Sequence, residues 1–171
     1  MVRMVKVLGL DVSSACTGFA VVSDGYLDFN SLGTIQPPTK LLMGQKLVYF
    51  EKAIKKLLKK HRPDICVIEG CFKGPNAKTF QVLSMFRGVS FKVIQEVLHQ
   101  DPISIFPTEA RKAVGVDGVK KEDAFKWVVE RFGFTDFTLN KHNDICDSIV
   151  LALSYFAPPK PAKKRKRKCT I

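Results

Sequence analysis

Acidic residues are scarce in this chain. It carries 16 Asp and Glu against 28 Lys and Arg, for a net charge of +12 over 171 residues. Histidine is scarcer still, at three, and His61, His99 and His142 are too scattered for a histidine metal centre or a Ser-His-Asp triad. The five cysteines are odd in number and form no Cys-x-x-Cys pair. That argues against a disulfide framework and for reduced thiols in a cytosolic setting. The spacing of Cys66, Cys71, His142 and Cys146 is wrong for zinc. No apolar run reaches the ~18 residues of a membrane-spanning helix. Met1 to Lys6 runs into strand-like sequence without a signal-peptide pattern. There is no Walker A loop and no internal repeat.

What is present is a globular body, 46% hydrophobic, of a length that suits one domain over residues 1–157. Pro158, Pro159 and Pro161 end it, and a basic tail follows over 158–171, expected to be disordered. Lys160 to Lys168 contribute seven cations and no acid, so the body keeps +5 of its own. A basic body favours a polyanion such as a nucleic-acid backbone, or serves plain solubility, and charge alone does not choose between the two.

Hydrophobic periodicity predicts strands at residues 4–10, 18–22 and 26–35, the last broken at Ser31 to Gly33. Further strands are expected at 65–69 and 103–106. Helices are expected at 41–61, 78–98, 108–114, 121–132 and 143–156. This order describes an α/β fold with a mixed sheet. The 78–98 helix is apolar over roughly 240° of its circumference, too wide for a helix that covers one sheet. The width calls for burial on two sides, in the core or in a subunit interface.

The few acids fall in telling places. Asp11 ends the run Val5-Lys6-Val7-Leu8-Gly9-Leu10, and Glu69 ends Ile65-Cys66-Val67-Ile68. Asp144 and Asp147 are three apart on a helix and share a face. One acid in a first helical turn would complement the helix dipole, but the dipole does not call for two. Acids at the ends of buried strands cost folding energy unless a cation lies between them. Carboxylate oxygens suit a hard divalent ion. Two such ions can hydrolyse a phosphodiester without a nucleophilic side chain.

The motifs occur together and in order. Gly9-Leu10-Asp11-Val12-Ser13-Ser14-Ala15-Cys16-Thr17-Gly18 is followed by Ile68-Glu69-Gly70-Cys71-Phe72, Lys73-Gly74-Pro75-Asn76-Ala77, Arg87-Gly88-Val89 and Asp144-Ile145-Cys146-Asp147. In this the chain resembles the RuvC family of Holliday-junction resolvases, of the RNase H-like superfamily, from about Val5 to Phe156. The resemblance implies an RNase H-like mixed five-stranded sheet flanked by helices. It implies a DNA endonuclease that resolves four-way junctions by paired nicks, leaving 3′-hydroxyl and 5′-phosphate ends. It further implies that Asp11, Glu69, Asp144 and Asp147 bind two Mg²⁺ or Mn²⁺ ions, that Lys121 acts near the scissile phosphate, and that Phe72 stacks on bases at the junction centre. Lys73, Asn76, Arg111, Lys112 and Lys120 join Lys121 as implied DNA contacts. The 78–98 helix matches the family's dimer helix, so a homodimer is expected, with branched DNA as partner and no membrane.

Ser13 departs from the Gly common at that position in cellular members, and the basic tail is not a family feature. The tail fits either added nonspecific DNA affinity or a nuclear-type signal. The expected location is the cytoplasm of a bacterium, or of a host cell for a viral or phage-type member. Three other readings compete. A non-cutting junction-binding protein is opposed by four intact acids. An actin-like ATPase or sugar kinase shares the first loop but needs about twice this length. A fork, RNA or hybrid nuclease would use the same acids.

Overall fold

The computed structural model describes residues 3–70 and 76–158. Five strands form one sheet: β1 (Lys6–Asp11), β2 (Thr17–Ser23), β3 (Tyr26–Ile35), β4 (Ile65–Glu69) and β5 (Ile103–Ile105). Among the described residues five helices accompany them: α1 (Met43–His61), α2 (Ala77–Leu98), α3 (Pro107–Val114), α4 (Lys121–Phe132) and α5 (Leu139–Ser154). The strand order is β3-β2-β1-β4-β5. The first three strands are antiparallel neighbours, and β4 runs parallel to both β1 and β5. This is the mixed five-stranded sheet that the element order predicts.

β1 lies at the centre with both faces covered, so its sequence is nearly continuous in apolar residues. Its alternation divides the core in two. Leu8 and Leu10, with Val21, Cys66 and Ile68, pack against α1 and α2 around Phe50, Ile54, Phe86 and Ile94. Val7, with Ala20, Val22 and Val67, packs against the side that carries Ala110, Ala124, Val128 and the buried row Ile145 to Leu153.

Two glycines bring α5 down onto the sheet. A Cβ on Gly9 would lie 2.1 Å from the Ser148 carbonyl oxygen, and one on Gly18 would lie 1.9 Å from that of Asp144. Neither position admits any larger residue without moving the helix. Gly18 pairs directly with Asp11 across the sheet. The contact that seats α5 therefore also sets Asp144 beside Asp11.

Several boundaries differ from the sequence-based expectation. β3 is not broken at Ser31 to Gly33. Its irregularity lies over residues 28–31, where Ala20 pairs with Leu32 but Val22 pairs with Leu27. Asp28 closes the bulge by accepting from Ser31 Oγ at 2.6 Å and from the Asn30 N–H at 3.0 Å. These bonds, the Ser31 one first, hold its carboxyl below the usual range. Phe106 is the N-cap of α3 rather than the end of β5, because Pro107 takes the first helical position. α5 starts at Leu139, four residues before the expected Asn143. Its first turn is held by a side chain: the Thr138 N–H donates to His142 Nδ1 at 2.9 Å, and His142 stacks on Phe137 at 4.3 Å. Asp144 and Asp147 thus lie beyond the first turn, where the helix dipole gives little reason for them.

Candidate active site

β1 and β4 are parallel neighbours, so their C-terminal ends share one edge of the sheet. Leu10 pairs with Ile68, which places Asp11 and Glu69 side by side one residue further on. The next turn is closed by small residues. The Ser13 N–H donates to Thr17 Oγ1 at 3.0 Å, and that hydroxyl donates back to the Ser13 carbonyl at 2.9 Å. Ser13 Oγ accepts from the backbone of Ala15 and Cys16 at 3.2 and 3.3 Å. α5 then supplies Asp144 and Asp147 from above. A cleft of about 460 Å³ opens here, with Asp11, Glu69, Asp144 and Lys121 all in its wall.

The electrostatics of these groups are strained. Asp11 is only 5% exposed. Burial raises its pKa well above the usual carboxylate range, helped by a hydrogen bond with Glu69 and by the charges of Glu69 and Asp147. Burial also raises Asp147, and the opposing pull of Lys121 and Arg111 does not cancel it. For Lys121, burial acts downward, but the combined field of Asp11, Asp147, Asp144 and Glu69 wins and raises its pKa. Cys16 is pushed up to about 11 by burial and by its hydrogen bond to Asp144.

Asp147 is held by two cations. Arg111 Nη2 donates to its Oδ1 at 3.0 Å, both side chains being buried, and Lys121 Nζ lies 3.5 Å from Oδ2. The Lys121 contact lacks hydrogen-bond geometry, so among the described residues Oδ2 is a buried oxygen with no hydrogen-bond partner. Asp144 accepts from Asn143 Nδ2 at 3.1 Å. As the side chains stand, no three His, Cys, Asp or Glu among the described residues close into a ready ion site. The donor chemistry nevertheless fits a hard divalent cation. It comprises clustered carboxylates, one of which, Asp11, is driven toward its neutral form by burial and by Glu69, and an orphaned buried oxygen.

The remaining implied residues divide. Arg111 is 5% exposed, and besides Asp147 it donates to the Val119 carbonyl at 2.6 Å. The structure thus places Arg111 as a tether for Asp147, turned inward, and not on the exposed surface where the expected DNA contact would lie. Asn76 caps α2, its Oδ1 accepting from the Thr79 N–H at 3.1 Å. Lys112 and Lys120 are exposed, and neither lines the cleft. Phe72 and Lys73 lie outside the described residues. Sequence reasoning missed Ser13, Ser14, Lys78 and Thr79, which do line the cleft. For Lys78 a signal existed, a lysine in the first turn of a helix that follows the Glu69 loop.

The sequence profile of crossover junction endodeoxyribonuclease RuvC matches residues 7–155. The enzyme of that name from Myxococcus xanthus is 30% identical over 174 residues, covering 95% of this chain and 89% of its own. That of Aliarcobacter butzleri is 30% identical over 88% of this chain and 97% of its own. Among solved structures, RuvC of T. thermophilus in complex with Holliday junction substrate superposes with a TM-score of 0.72 at 15% identity, covering 88% of this chain and 91% of that one. A yeast mitochondrial Holliday junction resolvase gives 0.59 at 12% identity, over 88% and 77%. The architecture is the RNase H-like one of these proteins. With most of its length matched by the profile and by curated relatives of similar size, this chain belongs to the RuvC family.

Proposed function

We propose that this chain is a metal-dependent, structure-selective DNA endonuclease that resolves four-way junctions by paired symmetric nicks. The observation that carries the reading is the gathering of Asp11, Glu69, Asp144 and Lys121 in one cleft, with Asp147 tethered beside it, in a chain of net charge +12. Held by the four carboxylates, two Mg²⁺ or Mn²⁺ ions would polarise the attacking water and stabilise the leaving oxygen. Burial and the neighbouring Glu69 and Asp147 disfavour the charged form of Asp11, a cost that a bound cation would offset. Arg111 keeps Asp147 aimed at the cleft. Lys121 is half exposed and faces the acids, which suits it to neutralise the scissile phosphate.

Two cuts across a two-fold junction call for two active sites related by symmetry. We assign the pairing to α2. It buries Phe86, Val93 and Ile94 in the single chain yet leaves Met85 39% exposed, so part of its wide apolar arc is uncovered. Phe72 is assigned to base stacking at the junction centre by the family resemblance, and the basic tail to nonspecific DNA affinity. The assigned compartment is the cytoplasm, following the reduced thiols.

The test is incubation with a labelled immobile four-way junction, a matched linear duplex and a three-way fork, with Mg²⁺ or EDTA, alongside Asp11→Asn. Metal-dependent paired nicks confined to the four-way junction are expected, and none from the variant. Equal cutting of forks would broaden the substrate to branched DNA. Tight binding without cutting in Mg²⁺ or Mn²⁺ would defeat the reading.

A further inference from the structure

The acids and Lys121 account for only part of the cleft. The rest of its wall comes from α2 and from the β1–β2 turn. Lys78, Thr79, Val82 and Leu83 are spaced so that one face of α2 looks into the cavity, and Ser13 and Ser14 line it from the turn. This half has one cation, several hydroxyls and a small apolar surface, a poor metal site but a good match for a sugar-phosphate unit.

Lys78 is also misplaced for the helix itself. It occupies the first turn of α2, where the dipole end is positive, and that turn has no acid to balance it. The helix dipole disfavours a cation there. Among the described residues it forms no ion pair. Helix dipole and ammonium together favour an anion at this wall. A phosphate bound to metals at the acids has neighbours along its strand, and one of them must pass this wall if the strand threads the cleft.

We propose that Lys78, assisted by the Thr79 hydroxyl, grips the backbone phosphate adjacent to the scissile one and so sets the register of the strand over the acids. This rests on the endonuclease reading and deepens it. Lys78 acts as a substrate-binding residue of the cleft, with Val82 and Leu83 packing against the intervening sugar.

The experiment uses the full chain and a four-way junction, with Ca²⁺ replacing Mg²⁺ for binding measurements. Lys78→Ala and Lys78→Arg are compared with Lys59→Ala, which removes one exposed charge from the last turn of α1, at the far end of the sheet. Lys78→Ala is expected to flatten the log–log salt dependence of binding by about 0.9, one phosphate contact. Single-turnover cutting in Mg²⁺ is expected to fall roughly tenfold or more through misregister, with Lys78→Arg restoring most of both. Junctions with one neutral methylphosphonate beside the cut site localise the contact. One position should weaken wild-type binding and leave Lys78→Ala binding unchanged. If every position weakens both proteins alike, or Lys59→Ala matches Lys78→Ala, the assignment fails. A wild type that binds but never cuts defeats the endonuclease reading alone, and the phosphate map still judges Lys78. A wild type that cuts while Lys78→Ala keeps its map defeats Lys78 alone. A chain that binds no junction overturns both.

Discussion

Replacing Arg111 by Met separates a buried tether from a DNA-contacting arginine. Removing one member of a buried ion pair costs about 3–5 kcal/mol, because a charge is left without its partner. Three features place Arg111→Met near the lower end. Val119 is exposed, so water can satisfy the carbonyl that Arg111 now holds. Lys121 remains 3.5 Å from Asp147, although its 53% exposed side chain makes that contact a screened one. Finally, Asp147 can take up a proton, since burial already raises its pKa. The expected loss is about 3 kcal/mol at pH 8, or roughly 6–12 °C in Tm for a domain of this size.

The pH dependence has a definite sign. Without Arg111 the native pKa of Asp147 rises further above its unfolded value of about 3.9. The native state then holds more protons than the unfolded one, so stability falls as pH climbs through the native pKa. The gap between wild type and variant should therefore be smaller at pH 5.5 than at pH 8 in urea and thermal unfolding with EDTA. The double variant Arg111→Met, Asp147→Leu should recover most of the loss. In a folded Arg111→Lys protein the salt dependence of junction binding should be unchanged. A loss under about 1 kcal/mol, combined with a salt slope flattened by about 0.9, would refute the tether and return Arg111 to the DNA surface.

Asp11→Asn should abolish cutting while leaving junction binding intact. In EDTA it should be more stable than wild type by about 1–3 kcal/mol at pH 8, a gain that disappears toward pH 4 as Asp11 protonates in the parent. Divalent ions should raise the Tm of wild type and not that of the variant. Gly18→Ala should cost at least about 3 kcal/mol by forcing α5 off the sheet, and any folded fraction should cut poorly because Asp144 moves with it. Cys66 and Cys146 are buried with thiols pushed up to about 12, so per-residue mass spectrometry after native alkylation at pH 8 should find both unlabelled. Fast labelling of either would mean that the packing of β4 or α5 opens readily. Deleting residues 160–171 should weaken binding and flatten its salt dependence without moving the cut, and a shifted cut would make the tail a positioning element.

The strands and their acids are legible in the sequence for one physical reason. A strand covered on both faces has no position for a charge until it leaves the sheet, so Asp11 and Glu69 mark where β1 and β4 end. The first turn of α5 was illegible because Leu139 is its one apolar residue before Ile145, and its cap is a histidine ring stacked on Phe137 rather than a Ser, Thr or Asp side chain. Arg111 was misread for a related reason. On a short helix an arginine beside a lysine has the pattern of a surface residue, and only the three-dimensional approach of α3 to α5 turns it inward onto Asp147. The predicted break at Ser31 to Gly33 is instead an irregularity over residues 28–31, where the Asp28 side chain supplies the turn.

A basic chain tolerates four clustered acids through the packing of α5. Glycine at positions 9 and 18 removes the side chains that would keep α5 at ordinary distance, and the helix then carries Asp144 and Asp147 toward the strand ends. That approach is stabilised by the apolar row Ile145 to Leu153 buried along α5. The repulsion it creates is concentrated at one point, where Arg111 and Lys121 relieve Asp147 while Asp11, buried beside Glu69, is pushed toward its neutral form. Apolar packing far from the cleft thus sustains the unfavourable electrostatics within it. Core truncations along α5, such as Ile149→Ala, should accordingly reduce cutting through the position of the acids as well as through stability.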